Sequence, residues 1–164
     1  MPDSIPVLDR ILELLRSNEI EFRHVEHEPT PTSEDSARAR GESLAVGGKA
    51  IVVKIGDTLR LVVLSAAKRL DSKRLRQDLG NKKIRFATRE ELAEATGGLV
   101  PGSVPPFGEP ILPLPLHVDR SVFEQSKIAF NAGSLTHSVI LDIEDYRRIA
   151  QIESIVDVAA EDDG

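Results

Sequence analysis

The sequence contains no cysteine and no tryptophan, and it has a single tyrosine. Without cysteine there can be no disulfide, thiolate zinc site or cysteine nucleophile. Aromatic residues make up only 4%, so the core must be aliphatic. So few rings also leave little to stack on nucleic-acid bases, which argues against a stacking-based single-strand binder. No apolar run approaches the roughly 18 residues of a membrane span. The first residues carry Asp3, Asp9 and Arg10, which breaks up the apolar stretch a signal peptide needs. A cytoplasmic protein with no membrane partner is expected.

What is present fits one core. The chain has 164 residues, 40% hydrophobic and 29% charged, ordinary for a single globular domain. The net charge of -6 argues at first against a nucleic-acid partner, but the charge is uneven. Lys68 to Arg89 holds nine basic and two acidic residues. The segment is +7 and the remainder is -13. Surface fields reach only about 8–10 Å through salt, so a basic surface on an acidic body can hold phosphates. The same run also fits a plain solvated face.

Leu8, Ile11, Leu12 and Leu15 recur at helical spacing, which predicts an amphipathic helix over about 5–17 with Ser4 and Pro6 in its first turn. A short strand is expected over 20–25, then a loop through Pro29 and Pro31. Thr32 and Asp35 resemble a capping box opening a helix to about Arg40. Residues 50–55 and 58–65 read as a hairpin around Gly56-Asp57. Asp71 to Leu79 reads as a helix closed by Gly80. A strand is expected over 83–87, and Thr88 with Glu91 caps a helix to about Ala95. A strand is predicted over 111–118 and a short helix over 120–125. Strands at 127–131 and 137–141 flank Ala132-Gly133-Ser134, and Asp142 caps a last helix to about Ile152. The pattern mixes hairpins with short helices and lacks regular βαβ alternation. The expected fold is α+β: a single domain over 1–155 with a curved, mixed, mostly antiparallel and barrel-like sheet surrounded by short helices. Residues 156–164 are set apart as an acidic tail, whose end, Glu161-Asp162-Asp163-Gly164, is expected to fray.

Three segments could carry chemistry. Lys49 opens the run Lys49-Ala50-Ile51-Val52-Val53-Lys54 after Gly47-Gly48. A lysine at the mouth of an apolar strand face can hold a ligand by charge; it can equally snorkel to water. In Gly97–Pro110, eight of fourteen residues are Gly or Pro. Glycines let amides approach a substrate and prolines shape the loop. Gly102, Ser103 and Val104 keep their N–H donors; a rigid connector is the alternative. Asn131-Ala132-Gly133-Ser134-Leu135-Thr136 is either a plain turn or one that presents a hydroxyl. His24 and His27 fall on opposite strand faces, so neither a metal site nor a cofactor is expected. His27, at a strand end, is a candidate pocket residue.

These segments together resemble the YbaK/EbsC family, which is related to the editing domain inserted in bacterial prolyl-tRNA synthetase. The matching pieces are Val25-Glu26-His27-Glu28-Pro29, Thr32-Ser33-Glu34-Asp35-Ser36-Ala37, Gly48-Lys49-Ala50-Ile51-Val52-Val53, Thr96-Gly97-Gly98-Leu99-Val100-Pro101-Gly102, Val104-Pro105-Pro106-Phe107-Gly108 and Phe130-Asn131-Ala132-Gly133-Ser134. They occur in family order across most of 5–150. The resemblance implies hydrolysis of a wrong amino acid from tRNA, often tRNA for proline or cysteine, with no metal and no covalent nucleophile. It places the family's lysine at Lys49 and its Gly-x-x-x-Pro loop at Gly102 and Pro106. Lys49 and Gly102 become the catalytic candidates. His27, Ser103, Val104, Pro106, Gly108, Asn131, Gly133 and Ser134 become the substrate-binding ones. Lys73, Arg74, Arg76, Lys82 and Lys83 are candidates for tRNA contact from the charge pattern, not from the resemblance. The implied partner is aminoacyl-tRNA, with a synthetase as a second candidate partner. A non-catalytic module binding an aminoacyl or nucleotide ligand, and a small-ester hydrolase, are the competing functions.

Overall fold

The computed structural model describes residues 6–30, 32–80 and 83–161. The helical spacing near the start forms α1 (Val7–Ser17) behind Pro6, which buries Val7, Ile11, Leu12 and Leu15. Ser4, read into its first turn, lies outside the described residues. β1 (Phe22–Glu26) follows. In α2 (Ser33–Arg40) the Thr32 hydroxyl caps the helix by accepting from the Asp35 N–H at 3.1 Å. A short 3-10 turn at Leu44–Val46 then leads into β2 (Gly48–Ile55) and β3 (Thr58–Ser65). These two form the expected hairpin, with Ile55 opposite Thr58 across a two-residue turn.

β4 (Lys68–Leu70) precedes α3 (Ser72–Leu79), which Asp71 caps and Gly80 ends. β5 (Ile84–Phe86) leads to α4 (Arg89–Thr96), opened by the Thr88–Glu91 capping box. After a long loop come β6 (Leu116–Asp119), a 3-10 turn at Arg120–Glu124, and the hairpin of β7 (Lys127–Asn131) and β8 (His137–Asp142). Then follow α5 (Ile143–Ile149), β9 (Ser154–Val156) and β10 (Ala159–Glu161).

The fold is α+β, with strands in the orders β5-β2-β3-β6-β9, β1-β8-β7 and β10-β4. Pairing is antiparallel except where β6 runs parallel to β3 and to β9. The barrel-like closure expected from sequence does not form, because the strands divide into three sheets.

Two local readings are corrected. The strand expected from 111 begins only at Leu116, since Pro113 and Pro115 have no N–H to give a ladder. The last helix stops at Ile149 rather than 152, where Gln151 turns to a φ of 50°. The stretch from 156 to 161, set apart from sequence as part of a tail, packs onto the fold. Val156 is buried, Val158 is wholly buried, and the Asp119 carboxylate accepts from the N–H groups of Val158 and Ala159 at 2.7 and 3.2 Å. The Val156–Val158 alternation was hidden behind the acidic residues that follow; residues 162–164 lie outside those described.

The main core joins the two larger sheets. Phe107 meets Phe130 and Tyr146 edge-on, with both centroid distances 5.5 Å. Rings this deep contribute about 1.5–3 kcal/mol each by burial. A second cluster lies on the other face of the five-stranded sheet, where Leu75 of α3 covers Val53, Ile55 and Val62. β5 pairs with β2 only across Val53–Ile55. One hydrogen bond more, from Ala87 N–H to Val52 O at 3.0 Å, ends the contact. The edge of β2 back towards Gly48 is therefore left open, and the site forms there.

Candidate active site

A cavity of about 380 Å³ occupies the open edge of β2, within the usual size range of small-ligand sites. One wall is polar and comes from α2 and β7: Thr32, Ser33, Ser36, Arg40 and Asn131. The other is apolar and comes from β2, β5, α4 and the glycine–proline loop: Ala50, Ile51, Val52, Phe86, Ala87, Leu92 and Val104. Lys49 and Gly102 line the cavity as well.

Gly48 allows this arrangement. A Cβ there would come within 2.6 Å of the Ile128 side chain, so only glycine lets β2 start this close to β7. The next residue, Lys49, is half-buried, and its ammonium donates to the carbonyl of Lys68 at 2.8 Å. Gly102 has a φ of 89°, a conformation that side chains resist, and its carbonyl accepts from Asn131 Nδ2 at 2.7 Å.

Arg40 was not singled out from the sequence. The residue is buried, 7% exposed, with Nε donating to Ser138 Oγ at 2.9 Å and Nη2 to Asn131 Oδ1 at 3.0 Å. Burial lowers its pKa to about 10, against which Glu42 pulls upward; it remains a cation at neutral pH. The signal was available. Ser33, Ser36, Ala37 and Arg40 follow i, i+3, i+4, i+7, but small and polar residues sit where a core-facing helix would carry apolar ones.

Of the residues expected to bind substrate, Val104 and Asn131 line the cavity with Lys49 and Gly102. The others do not. His27 stands behind the polar wall, its Nε2 2.8 Å from Ser138 Oγ. Ser103 is buried, and both its N–H and its hydroxyl donate to Val100 O, at 3.1 and 2.7 Å. Its amide, counted as a free donor from sequence, is thus already engaged. Pro106 is buried and offers its carbonyl to Tyr146 Oη at 2.7 Å. Gly108 is packed against the Leu114 carbonyl and Gly133 against Val7 of α1. Ser134 closes its own turn, 3.0 Å from Thr136 Oγ1 and 3.0 Å from the Thr136 N–H.

The comparisons agree with this architecture. The family model described as the aminoacyl-tRNA editing domain matches residues 27–149. The chain belongs to that family. It is 38% identical over 152 residues to the multifunctional Ser/Thr-tRNA deacylase ProXp-y of Escherichia coli strain K12, covering 89% of each chain. It is 32% identical over 102 residues to a proline–tRNA ligase of Shouchella clausii strain KSM-K16, which is 62% of this chain and 18% of that one. A crystal structure of a candidate trans-editing enzyme for prolyl tRNA synthetase shares the fold. Its TM-score is 0.80 at 23% identity, with 96% of this chain and 99% of that one covered.

As a member of the editing family the chain is a hydrolytic enzyme, an aminoacyl-tRNA deacylase. The lining of its cavity limits how it can work. Among the described residues, no His, Asp or Glu lines the cavity. Ser33 and Ser36 therefore have no carboxylate or imidazole of the lining beside them to make a nucleophile; the Thr32 hydroxyl donates to Asp35 Oδ2 at 2.8 Å, a carboxylate paired with Arg38 at the start of α2. Ser36 Oγ is 2.6 Å from Thr30 Oγ1. The histidines assemble elsewhere: His24 Nε2 lies 2.9 Å from His137 Nδ1 at the β1–β8 edge, and His117 is buried in β6.

The basic segment is smaller in three dimensions than in sequence. Arg85 is held by both oxygens of Glu91, at 2.8 and 2.9 Å. That pair, with the Thr88 N–H, brings the Glu91 pKa down to about 2. Lys68 is ion-paired with Glu161, and Arg74 donates to the carbonyl of Ala159 at 2.6 Å. Lys73, Arg76 and Lys83 are exposed. Lys82 lies outside the described residues.

Proposed function

We propose that the cavity receives the aminoacyl end of a mischarged tRNA and that water hydrolyses its ester there. The single observation behind this reading is convergence. Lys49, Arg40, Asn131 and the loop residues Gly102 and Val104, drawn from four separate segments, meet in one cavity beside an apolar wall.

Catalysis in such a site rests on positioning and electrostatics. Water adds to the ester carbonyl carbon, and the carbonyl oxygen becomes an oxyanion. The Lys49 ammonium and the amides of Gly102 and Val104 stabilise that charge. Pro106 sits behind the loop and shapes it. The intermediate collapses by breaking its bond to the ribose oxygen, which leaves as a hydroxyl. The neighbouring ribose hydroxyl relays the proton, so the substrate supplies the acid–base group that the lining lacks.

A small, hydroxyl-bearing amino acid fits the polar wall, and the relative named as a Ser/Thr-tRNA deacylase supports that choice. Hydroxyls and a guanidinium that would otherwise face an apolar group discriminate far better than a difference of one methylene. The tRNA types implied by the resemblance, those for proline and cysteine, remain part of the proposal on the tRNA side. Exposed Lys73, Arg76 and Lys83 are proposed to meet the acceptor phosphates. A cytoplasmic location and a synthetase partner belong to the same reading.

The test is deacylation of a panel of tRNAs mischarged with serine, threonine, alanine, cysteine or proline. Release of serine or threonine, lost in Lys49→Ala, is the expected result. Binding without turnover on every member of the panel overturns the reading.

A further inference from the structure

Phe86 is the most exposed large hydrophobic side chain among the described residues, at 58%. A single exposed ring needs no explanation by itself, but every other ring in the chain is engaged. Phe107, Phe130 and Tyr146 stack in the core, Phe22 lies under Arg16, and Phe123 lies under Arg147. Phe86 instead stands at the rim of the cavity, on the last residue of β5.

Its orientation follows from register. Phe86 lies opposite Val53, and cross-strand partners share a sheet face while side chains alternate along a strand. Phe86 therefore shares its face with Val53, Ile51 and Lys49. Leu75 anchors α3 on that same face, and α3 carries exposed Lys73 and Arg76. The helix that carries these cations thus packs on the sheet face that also bears Phe86 and Lys49. Lys49 and Val53 are four residues apart, about 13 Å of strand, the scale of one nucleotide with an aminoacyl group attached.

We propose that Phe86 is a stacking platform for the nucleobase at the single-stranded 3′ end of the RNA that carries the ester. The inference rests on the deacylase reading of the cavity. It requires one base on one ring, which the scarcity of aromatics allows. Stacking tolerates any base, because every base has a π face. It would hold the terminal nucleotide while the amino acid enters the cavity.

The chain has no tryptophan, so Phe86→Trp creates a lone fluorophore at the rim. This variant is titrated with an uncharged RNA hairpin ending in unpaired CCA, and with the same hairpin made blunt. A saturable change with the overhang and none with the blunt end is expected. No change with either, or the same change with both, overturns the proposal. In steady state on mischarged tRNA, Phe86→Leu should raise KM by about 5- to 100-fold with kcat retained, and Phe86→Tyr should restore KM. An unchanged KM in the leucine variant also overturns it. If the wild type turns over no mischarged tRNA, the deacylase reading fails separately, and the fluorescence titration still decides the role of Phe86.

Discussion

The side-chain amide of Asn131 is clamped in one orientation between Arg40 and Gly102. Its oxygen accepts from Arg40 Nη2 at 3.0 Å and from Ser138 Oγ at 3.2 Å, and its nitrogen donates to the Gly102 carbonyl at 2.7 Å. A guanidinium can only donate, so the amide cannot flip. Asn131→Asp would turn a carboxylate oxygen toward that carbonyl and release the loop, while still pairing with Arg40. Turnover should fall by about 2- to 10-fold, the scale of a neutral hydrogen bond. The thermal midpoint should hold or rise. A parallel loss of stability and activity would show that the residue acts only through folding.

Arg40 extends the same logic. Its two fixed partners, Ser138 and Asn131, are neutral, and burial already weakens its hold on the proton. Removing the guanidinium ends the cost of a desolvated cation, and its partners stay bonded, Ser138 Oγ to His27 Nε2 at 2.8 Å and Asn131 Oδ1 to Ser138 Oγ at 3.2 Å. Arg40→Met should therefore melt close to the wild type and yet lose most deacylation of seryl- or threonyl-tRNA. Arg40→Lys keeps the charge and loses the fork, and should recover only part of it. Full activity in the methionine variant would remove Arg40 from the site.

The parts that were legible in the sequence are those governed by local rules. Caps at Thr32, Gly80, Thr88 and Asp142, the Gly56-Asp57 turn and the α1 stripe depend on neighbours within a few residues, and they formed as read. The meeting of Lys49, Gly102, Val104 and Asn131 could be named only through motifs, because segments up to 82 positions apart have no local signal for contact. Arg40 was missed because a polar helix face reads as solvent-facing until something is seen to cover it. The paired state of Arg85 and Arg74 was invisible for a similar reason. Glu91 belongs to the next helix, and the Ala159 carbonyl to a strand that had been read as part of a tail.

Tyr146 gives the glycine–proline loop its second anchor. Its hydroxyl donates to the buried Pro106 carbonyl at 2.7 Å, and burial pushes the phenol pKa well above its ordinary value. Tyr146→Phe keeps the ring against Phe107 and strands that carbonyl. The expected loss is about 1–3 kcal/mol, or a thermal midpoint lower by roughly 2–12 °C for a chain of this size. Differential scanning calorimetry measures it. An unchanged midpoint would mean that the carbonyl finds another donor.

Acid should weaken the fold through His117 before most carboxylates titrate. Arg60 Nη1 donates to His117 Nε2 at 3.0 Å, so that nitrogen is bare and Nδ1–H points to Ser154 Oγ at 2.7 Å. Burial first, and the Arg60 charge second, lower the pKa of this imidazole; Glu153 opposes them in part. His24 shifts the same way, through burial and then His137. A group that binds its proton less tightly when folded gives full stability above its unfolded pKa. That stability declines as pH falls toward the folded pKa. Urea midpoints should therefore drop between about pH 7.5 and about pH 5.5, on either side of the ordinary histidine value. Part of that drop should vanish in His117→Gln, whose side chain stays neutral throughout. If the variant loses as much stability over the interval as the wild type, the dependence arises elsewhere.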